Sequence, residues 1–221
     1  QPGDTVLPPQ HIAVSLKWIT PDAERVIVEC ARVSSDPSKP SRPDADLLEY
    51  LIRNRHWSPF EMASACVEVL CPRDISRQLI RHRSFSFQEF SQRYSSVDLQ
   101  QSPGPRSARL QHPTNRQASL SADNQPDLRE WWNAAQTEQE ARALAFYREA
   151  LHRGIAKEVA RSVLPEGLTQ SRLFMSGTIR SWIHFIDVRT SEGTQAEMWV
   201  VAQQVRALLS EHMWVTMGVE V

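Results

Sequence analysis

Between Arg73 and Ser96 the chain reads RDISRQLIRHRSFSFQEFSQRYSS, in which five arginines and a histidine are interleaved with serines and aromatics. Arg73, Arg77, Arg81, Arg83 and Arg93 face only Asp74 and Glu89 as local acids, although the whole chain carries a formal net charge of -1. A local excess of guanidinium groups in a nearly neutral protein requires an anion from outside, and their planar forks of fixed donors match phosphate oxygens. The stretch therefore reads as a site for a phosphorylated ligand. Taken as a helix from Asp74 to Arg83, it turns about 100° per residue, which puts Gln78 and Arg81 on one face and Arg83 nearly opposite Arg81. Arg81 and Arg83 would then serve two ligands, or two sites formed where subunits meet.

Arg81-His82-Arg83, followed after seven residues by Ser91 with Glu89 and Arg93 beside it, matches the RHR-x7-S signature of the flavin-dependent thymidylate synthases. Further segments resemble that family in its own order: Cys30-Ala31-Arg32-Val33-Ser34, His56-Trp57-Ser58-Pro59-Phe60-Glu61, Val159 to Pro165, Arg180-Ser181, and Asp187-Val188-Arg189. The resemblance covers most of the chain. It implies a single α+β domain over residues 1–221, a mixed sheet of few strands packed with long helices. It also implies reductive methylation of dUMP to dTMP, with methylenetetrahydrofolate as one-carbon donor, NADPH as reductant and FAD as cofactor.

By the same resemblance Gln78, Leu79, Ile80, Arg81, Glu89, Phe90, Ser91, Gln92, Arg93, Arg161 and Arg189 bind dUMP. His56, Ser58, Arg81, His82, Arg83, Glu89, Thr178, Arg180 and His184 bind FAD. Arg189 is the catalytic residue: the matching arginine contacts the uracil ring and favours its ionised form, and a cation beside a ring where negative charge develops is an electrostatic catalyst. No metal is implied. Members resemble one another as homotetramers with sites at subunit interfaces. The chain departs from the family at Met62, where a histidine is common, and at Ser191 and Gly193-Thr194, where an acidic residue and a His-Ala pair are common. Gln195 and Glu197 keep the pattern.

Each of these residues also has a plainer role. Cations are favoured at a helix end. Arg161 could pair with Glu158 three residues before it, for about 0.2–0.5 kcal/mol, and Arg189 with Asp187 or Glu192. His56 could cap a preceding helix, Ser58-Pro59 could be only a turn, and His184 a structural histidine. Ser91 has no base or orienting partner near it in sequence, so phosphate binding suits it better than nucleophilic attack. A different class, a binder of single-stranded nucleic acid stacking bases on Phe85, Phe87, Phe90 and Tyr94, is disfavoured by the near-neutral charge.

Composition sets the frame. At 221 residues, 41% hydrophobic and 23% charged, the chain suits one soluble domain without a membrane-spanning run. The N-terminus lacks the pattern of a secretory signal. Cys30, Cys66 and Cys71 form neither a metal-ligand pair nor a disulfide framework, which points to a reducing cytoplasm and to no thiol catalysis.

Those residues need elements to hold them. Alternation predicts a strand over 11–19 and a helix over 23–33, then a helix capped by Asp44 or Asp46 with Leu47, Leu48, Leu51 and Ile52 on one side. Residues 63–71 read as a half-buried strand, Pro72 as its end and Asp74 as the cap of the arginine helix. Residues 98–126 read as a mobile loop, rich in Gln and Ser with three prolines before Asn115. A long helix spans 128–152, broken at Gly154, and a second follows with Ile155, Ala156, Val159, Ala160, Val163 and Leu164 as a wide apolar face. A short strand over 172–176, a helix over 178–188 and a last helix over 195–212 complete the chain.

Overall fold

The computed structural model describes residues 12–34, 41–94 and 102–219. Strand β1 (Ala13–Ile19) leads through Asp22 into helix α1 (Ala23–Arg32). Helix α2 (Asp44–Arg53) begins after Pro43 with no side-chain cap, and Asp44 instead binds Arg32 of α1 at 2.6 Å. The capping role expected of Asp44 or Asp46 is thus replaced by an ion pair. Arg55 ends this helix in the left-handed region at φ 56, with its amide and that of His56 bonded back to Ile52 and Leu51 at 3.0 and 2.8 Å. That reversal aims the chain into a 3-10 turn over Ser58–Glu61.

Strand β2 (Ser64–Pro72), helix α3 (Arg73–Leu79) and strand β3 (Ser86–Glu89) follow, then the small hairpin β4 (Arg109–Gln111) and β5 (Ser119–Ser121). Helix α4 (Pro126–His152) and the short α5 (Lys157–Ala160) lead to β6 (Gln170–Thr178), α6 (Ile179–Thr190), α7 (Ala196–Ser210) and α8 (Trp214–Gly218).

The main sheet runs β1-β2-β6-β3. The class is α+β with few strands, as expected, but every pairing in this sheet is antiparallel rather than mixed. One face of β2 and β6 carries Ala65, Val67, Val69, Cys71, Leu173 and Met175, all at 0% exposure, against Trp182 and Phe185 of α6 and Val201 of α7. Burying such side chains contributes about 1.5–3 kcal/mol each for the larger ones. Strand β2 was expected to be half-buried, yet Cys66 and Glu68 on its reverse face are only 8% and 9% exposed. The reason is its central position: Lys17 from β1 and Arg172 from β6 both bind the Glu68 carboxylate and hold its pKa below the usual range. The three cysteines are unpaired, with Cys71 enclosed and Cys30 half-buried. The backbone at the start of β1 is satisfied by Gln204 of α7, which accepts from the Val14 amide at 2.9 Å and donates to the Ile12 carbonyl at 3.1 Å.

Other expectations need correction. Strand β6 is nine residues long, because backbone pairing with β2 carries it through Gly177 to Thr178, beyond the short strand over 172–176. The segment expected to be a loop over 98–126 holds the β4-β5 hairpin, while residues 98–101 lie outside the described ones. It is tied to α4 by Gln136, which exchanges two hydrogen bonds of 2.9 Å with the Arg106 backbone. The helix expected after Gly154 shrinks to α5 and a 3-10 turn over Arg161–Val163. Of its apolar face only Ala160 is buried, and Ile155, Val159 and Val163 are 44%, 56% and 42% exposed. Among the described residues no helix is long and apolar enough to cross a membrane.

Gly177 of β6 makes room for Phe85, the residue just before β3. A Cβ there would lie 2.5 Å from the Phe85 ring, which is packed edge-on to Trp182 at 4.6 Å between centroids. Gly177→Ala must displace that ring from a closed core and should lower stability by about 1–3 kcal/mol. Urea unfolding of the variant checks this, and an unchanged midpoint would contradict the contact.

Candidate functional site

Glu89, at the end of β3, gathers the first part of the site. Its carboxylate accepts from Ser76 Oγ of α3 at 2.6 Å and from Ser171 Oγ of β6 at 2.8 Å, with Arg77 at 3.4 Å and Arg73 at 3.7 Å. Arg73, Ser76 and Arg77 are spaced i, i+3, i+4 and so share one face of α3. Burial presses the Arg73 guanidinium below the usual arginine range, and its Nη1 is enclosed without a hydrogen-bond acceptor. Gln92 is 4% exposed and its Nε2 is likewise enclosed without a partner. Unpaired buried donors are rare and costly, so each marks a place where a missing acceptor would be stabilising.

The turn after β3 lies against α5. Arg93 approaches the Glu158 carboxylate at 3.8 Å, Arg161 Nε donates to the Glu158 carbonyl at 3.4 Å, and Lys157 Nζ donates to the Tyr94 carbonyl at 3.3 Å. Glu166 reaches Arg77 at 3.2 Å and Arg73 at 3.9 Å. The cluster's acids are therefore Glu89, Glu158 and Glu166, two of them distant in sequence, while Asp74 is engaged by Arg106. The local charge excess expected from the sequence is thereby reduced. Still, Arg93 and Glu158 are 55% and 58% exposed, and a long, exposed pair is worth at most about 1 kcal/mol. A doubly charged phosphate competes well for such cations.

Arg81-His82-Arg83 is not helical. Helix α3 stops at Leu79, and the Arg81 and His82 amides bond back to Gln78 and Leu79 at 3.3 and 3.0 Å as a turn. The expectation that Arg81 and Arg83 diverge because they lie on opposite helix faces thus fails, although both are exposed and neither has an ion-pair partner among the described residues. His82 packs edge-on to Phe185 at 5.0 Å, and the Ser84 carbonyl accepts from Ser181 at 3.3 Å, so the turn rests on α6. At the far end of α6, Arg189 Nε donates to His82 Nε2 at 2.9 Å. Arg189 therefore pairs with neither Asp187 nor Glu192. The imidazole accepts at Nε2, so it is neutral and carries its proton on Nδ1. Burial first, then Arg189 and His184, push its pKa down to about 4.

A third chain of contacts starts at Gln78, whose Nε2 donates to Gln195 Oε1 at 2.7 Å. Gln195 Nε2 in turn donates to Glu197 at 2.9 Å, and Arg109 of β4 binds the same carboxylate at 2.8 Å.

Of the residues expected at a flavin, Thr178, Arg180 and His184 lie on or beside α6, and His82 packs against Phe185 of that helix. Thr178 caps that helix, accepting from the Ser181 amide at 3.3 Å, and Arg180 pairs with Glu61 of the 3-10 turn that holds Ser58. His184 lies one turn further on the same helix and is exposed, and His56 stands edge-on to Tyr50 at 5.7 Å. Of those expected at a nucleotide, Arg93 and Arg161 meet at Glu158, Gln78 is held by Gln195, and Arg189 bonds to His82. Phe90 serves through its backbone, its amide bonded to the Arg172 carbonyl at 2.9 Å, and Leu79 is a core residue at 0% exposure. Arg73 and Arg77 were expected in the arginine cluster without a ligand of their own, and Ser76 and Ser171 were not among the expected site residues. Phe85 is 8% exposed and packed on Trp182, so it is not available to stack on a base. Among the described residues no group of three or more His, Cys, Asp or Glu could hold a metal.

A family model described as "Thymidylate synthase complementing protein" matches residues 15–213. A probable flavin-dependent thymidylate synthase of Paramecium bursaria Chlorella virus 1 is 47% identical over 176 residues, covering 79% of this chain and 80% of that one. The flavin-dependent thymidylate synthase of Synechocystis is 43% identical over 189 residues, 86% of this chain and 85% of the relative. Among solved structures, the UMP/dUMP methylase PolB from Streptomyces cacaoi, bound with 5-Br UMP, superposes with a TM-score of 0.81 at 30% identity, over 94% of this chain and 92% of that one.

The His82 contact gives an acid dependence of known sign. The folded-state pKa of about 4 lies below the unfolded value of 6.5, so between them the unfolded chain binds the proton and the folded chain does not. Stability contributed by neutral His82 is complete above pH 6.5 and is lost as the pH falls towards 4. His82→Gln keeps an acceptor but cannot titrate, so its urea midpoints should fall less over that range than those of the parent chain. Parallel curves would show that His82 is not the titrating group.

Proposed function

The chain belongs to the thymidylate synthase complementing protein family, that of the flavin-dependent thymidylate synthases, and we propose that it methylates dUMP to dTMP with FAD, methylenetetrahydrofolate as one-carbon donor and NADPH as reductant. Enzyme class and flavin dependence follow from the family. The observation that carries the substrate reading is the group of donors lacking an acceptor: Arg73 Nη1 and Gln92 Nε2 beside the loosely held Arg93 and Arg161. A nucleotide phosphate satisfies such a set.

The donor set also fits FAD. Exposed Arg81, Arg83 and Arg180 suit a diphosphate, and Thr178, Ser58, His56, His82 and His184 supply polar groups for the rest of the cofactor, with Glu89 at the far end of β3. When bound, FAD supplies the hydride chemistry of the reaction. The chain's own groups position and polarise. Arg93, Ser91 and Arg161 anchor the phosphate, with Gln92 adding a donor. Gln78, Leu79, Ile80, Arg81, Glu89 and Phe90 shape the rest of the dUMP pocket. Arg189, held by His82, stabilises the negative charge that develops on the uracil ring. Burial weakens the hydration of this cation and so strengthens its field at a ring beside it.

A homotetramer with active sites between subunits is supported by exposed apolar groups: Trp131 and Phe146 on α4, each 61% exposed, and Val159 on α5. A cytoplasmic location agrees with three unpaired cysteines.

Purified protein should be yellow, and Arg189→Ala should lower deoxyuridylate methylation about a hundredfold or more while FAD stays bound. Near-normal turnover removes Arg189 from the mechanism. A colourless protein that takes up no FAD and binds oligonucleotide with a steep salt dependence overturns the whole reading.

A further inference from the structure

Glu197, on the first turn of α7, is 1% exposed and stands between an arginine on one side and a chain of amides on the other. Arg109 donates to it from β4, at 2.8 Å to Oε1 and 2.9 Å to Oε2. Gln195 Nε2 donates to Oε2 at 2.9 Å. A carboxylate paired with an arginine can only accept, so the Gln195 amide must turn its nitrogen to Glu197 and its oxygen to Gln78. The Gln78 amide must then give its nitrogen to Gln195, which it does at 2.7 Å. Its oxygen is left without a partner among the described residues.

We infer that Glu197 is a positioning residue for the substrate pocket: through Gln195 it decides which end of the Gln78 amide the nucleotide meets, and that end is the carbonyl oxygen. The ligand atom opposite Gln78 is accordingly a donor, a sugar hydroxyl or a ring N–H. A free glutamine offers either end, and fixing it selects against ligands that present only an acceptor there. The inference rests on the proposed placement of dUMP beside Gln78. Arg109 contributes by holding the carboxylate, which places β4 in the same relay.

Calorimetric titration of deoxyuridylate into the flavin-loaded protein tests it, together with KM and kcat. Glu197→Gln offers Gln195 both a donor and an acceptor, so the orientation is no longer forced. Affinity should fall about tenfold and KM rise in step, with kcat, flavin content and melting temperature changed far less. Gln195→Glu combined with Glu197→Gln moves the carboxylate to position 195, where it accepts from Gln78 and from its new neighbour, and so restores the orientation. The double variant should regain parental affinity. A purely structural role for Glu197 would give no such recovery.

Parental affinity in Glu197→Gln, or a double variant as weak as the single one, overturns the inference. Should Glu197→Gln fail to fold, Gln195→Met cuts the relay while sparing the Arg109 pair, and it must show the same loss. Gln78→Ala separates the two levels. If it leaves affinity intact, the nucleotide does not lie at Gln78 and the site reading fails; if it weakens binding while Glu197→Gln does not, only the relay fails.

Discussion

A carboxylate withdrawn from water must be met on all sides or it expels the structure around it. Glu89 meets that demand with hydroxyls from α3 and β6 and cations from α3. Desolvating an ion costs several kcal/mol, and hydrogen bonds to a charged group return about 1.5–3 kcal/mol each, so the balance closes only when all partners are in place. Strand β3 pairs with β6 over only four residues. So short a ladder is weakly held by its backbone alone, and the Glu89 contacts fix its end. The segment downstream of that end, from Ser91 to Arg93, starts from this carboxylate and is held further along by α5.

At the other end of β3 a different device operates. The turn carrying Arg81, His82 and Arg83 is anchored by aromatic packing, with Phe85 in the space that a glycine leaves open at Gly177 and His82 against Phe185. Exposed cations are thereby held on a backbone that hardly depends on them. His82 also resolves a conflict: a second positive charge beside Arg189 would repel it, whereas a neutral imidazole accepts its hydrogen bond. One histidine thus both locates the arginine and preserves the local field.

Much of this was legible in the sequence because period and chemistry agreed. The alternation in β2, the apolar face of α6 and the length of α4 come from side-chain spacing, which local geometry translates directly. The arginine signature marked a stretch where charge does collect, but Arg73 and Arg77 are the cations that meet Glu89, while Arg93 and Arg161 lie at Glu158 and Arg81 and Arg83 are exposed. Tertiary contacts hid the rest. Helix α3 stops at Leu79 because the following turn is claimed by α6, and no local signal in Arg81-His82-Arg83 announces that. Glu158 and Glu166 enter the arginine cluster from far along the chain, so a count of neighbouring acids overstated its charge. Arg73, Ser76 and Arg77 share one helical face and could have been read from their spacing, but the carboxylate that gives the face meaning, Glu89, reaches it only once β3 has paired with β6. The apolar face expected after Gly154 was correctly seen as apolar, and what the sequence did not reveal is that it faces outward.

The enclosure of the cysteines has a consequence of its own. Cys71 is fully shut in and burial drives its thiol well above the usual range; Cys66 is raised by burial as well. Oxidants attack thiolates that solvent can reach. Enclosed in this way, two of the three sulfurs are kept from oxidants in solution, and Cys30 alone is partly open to them.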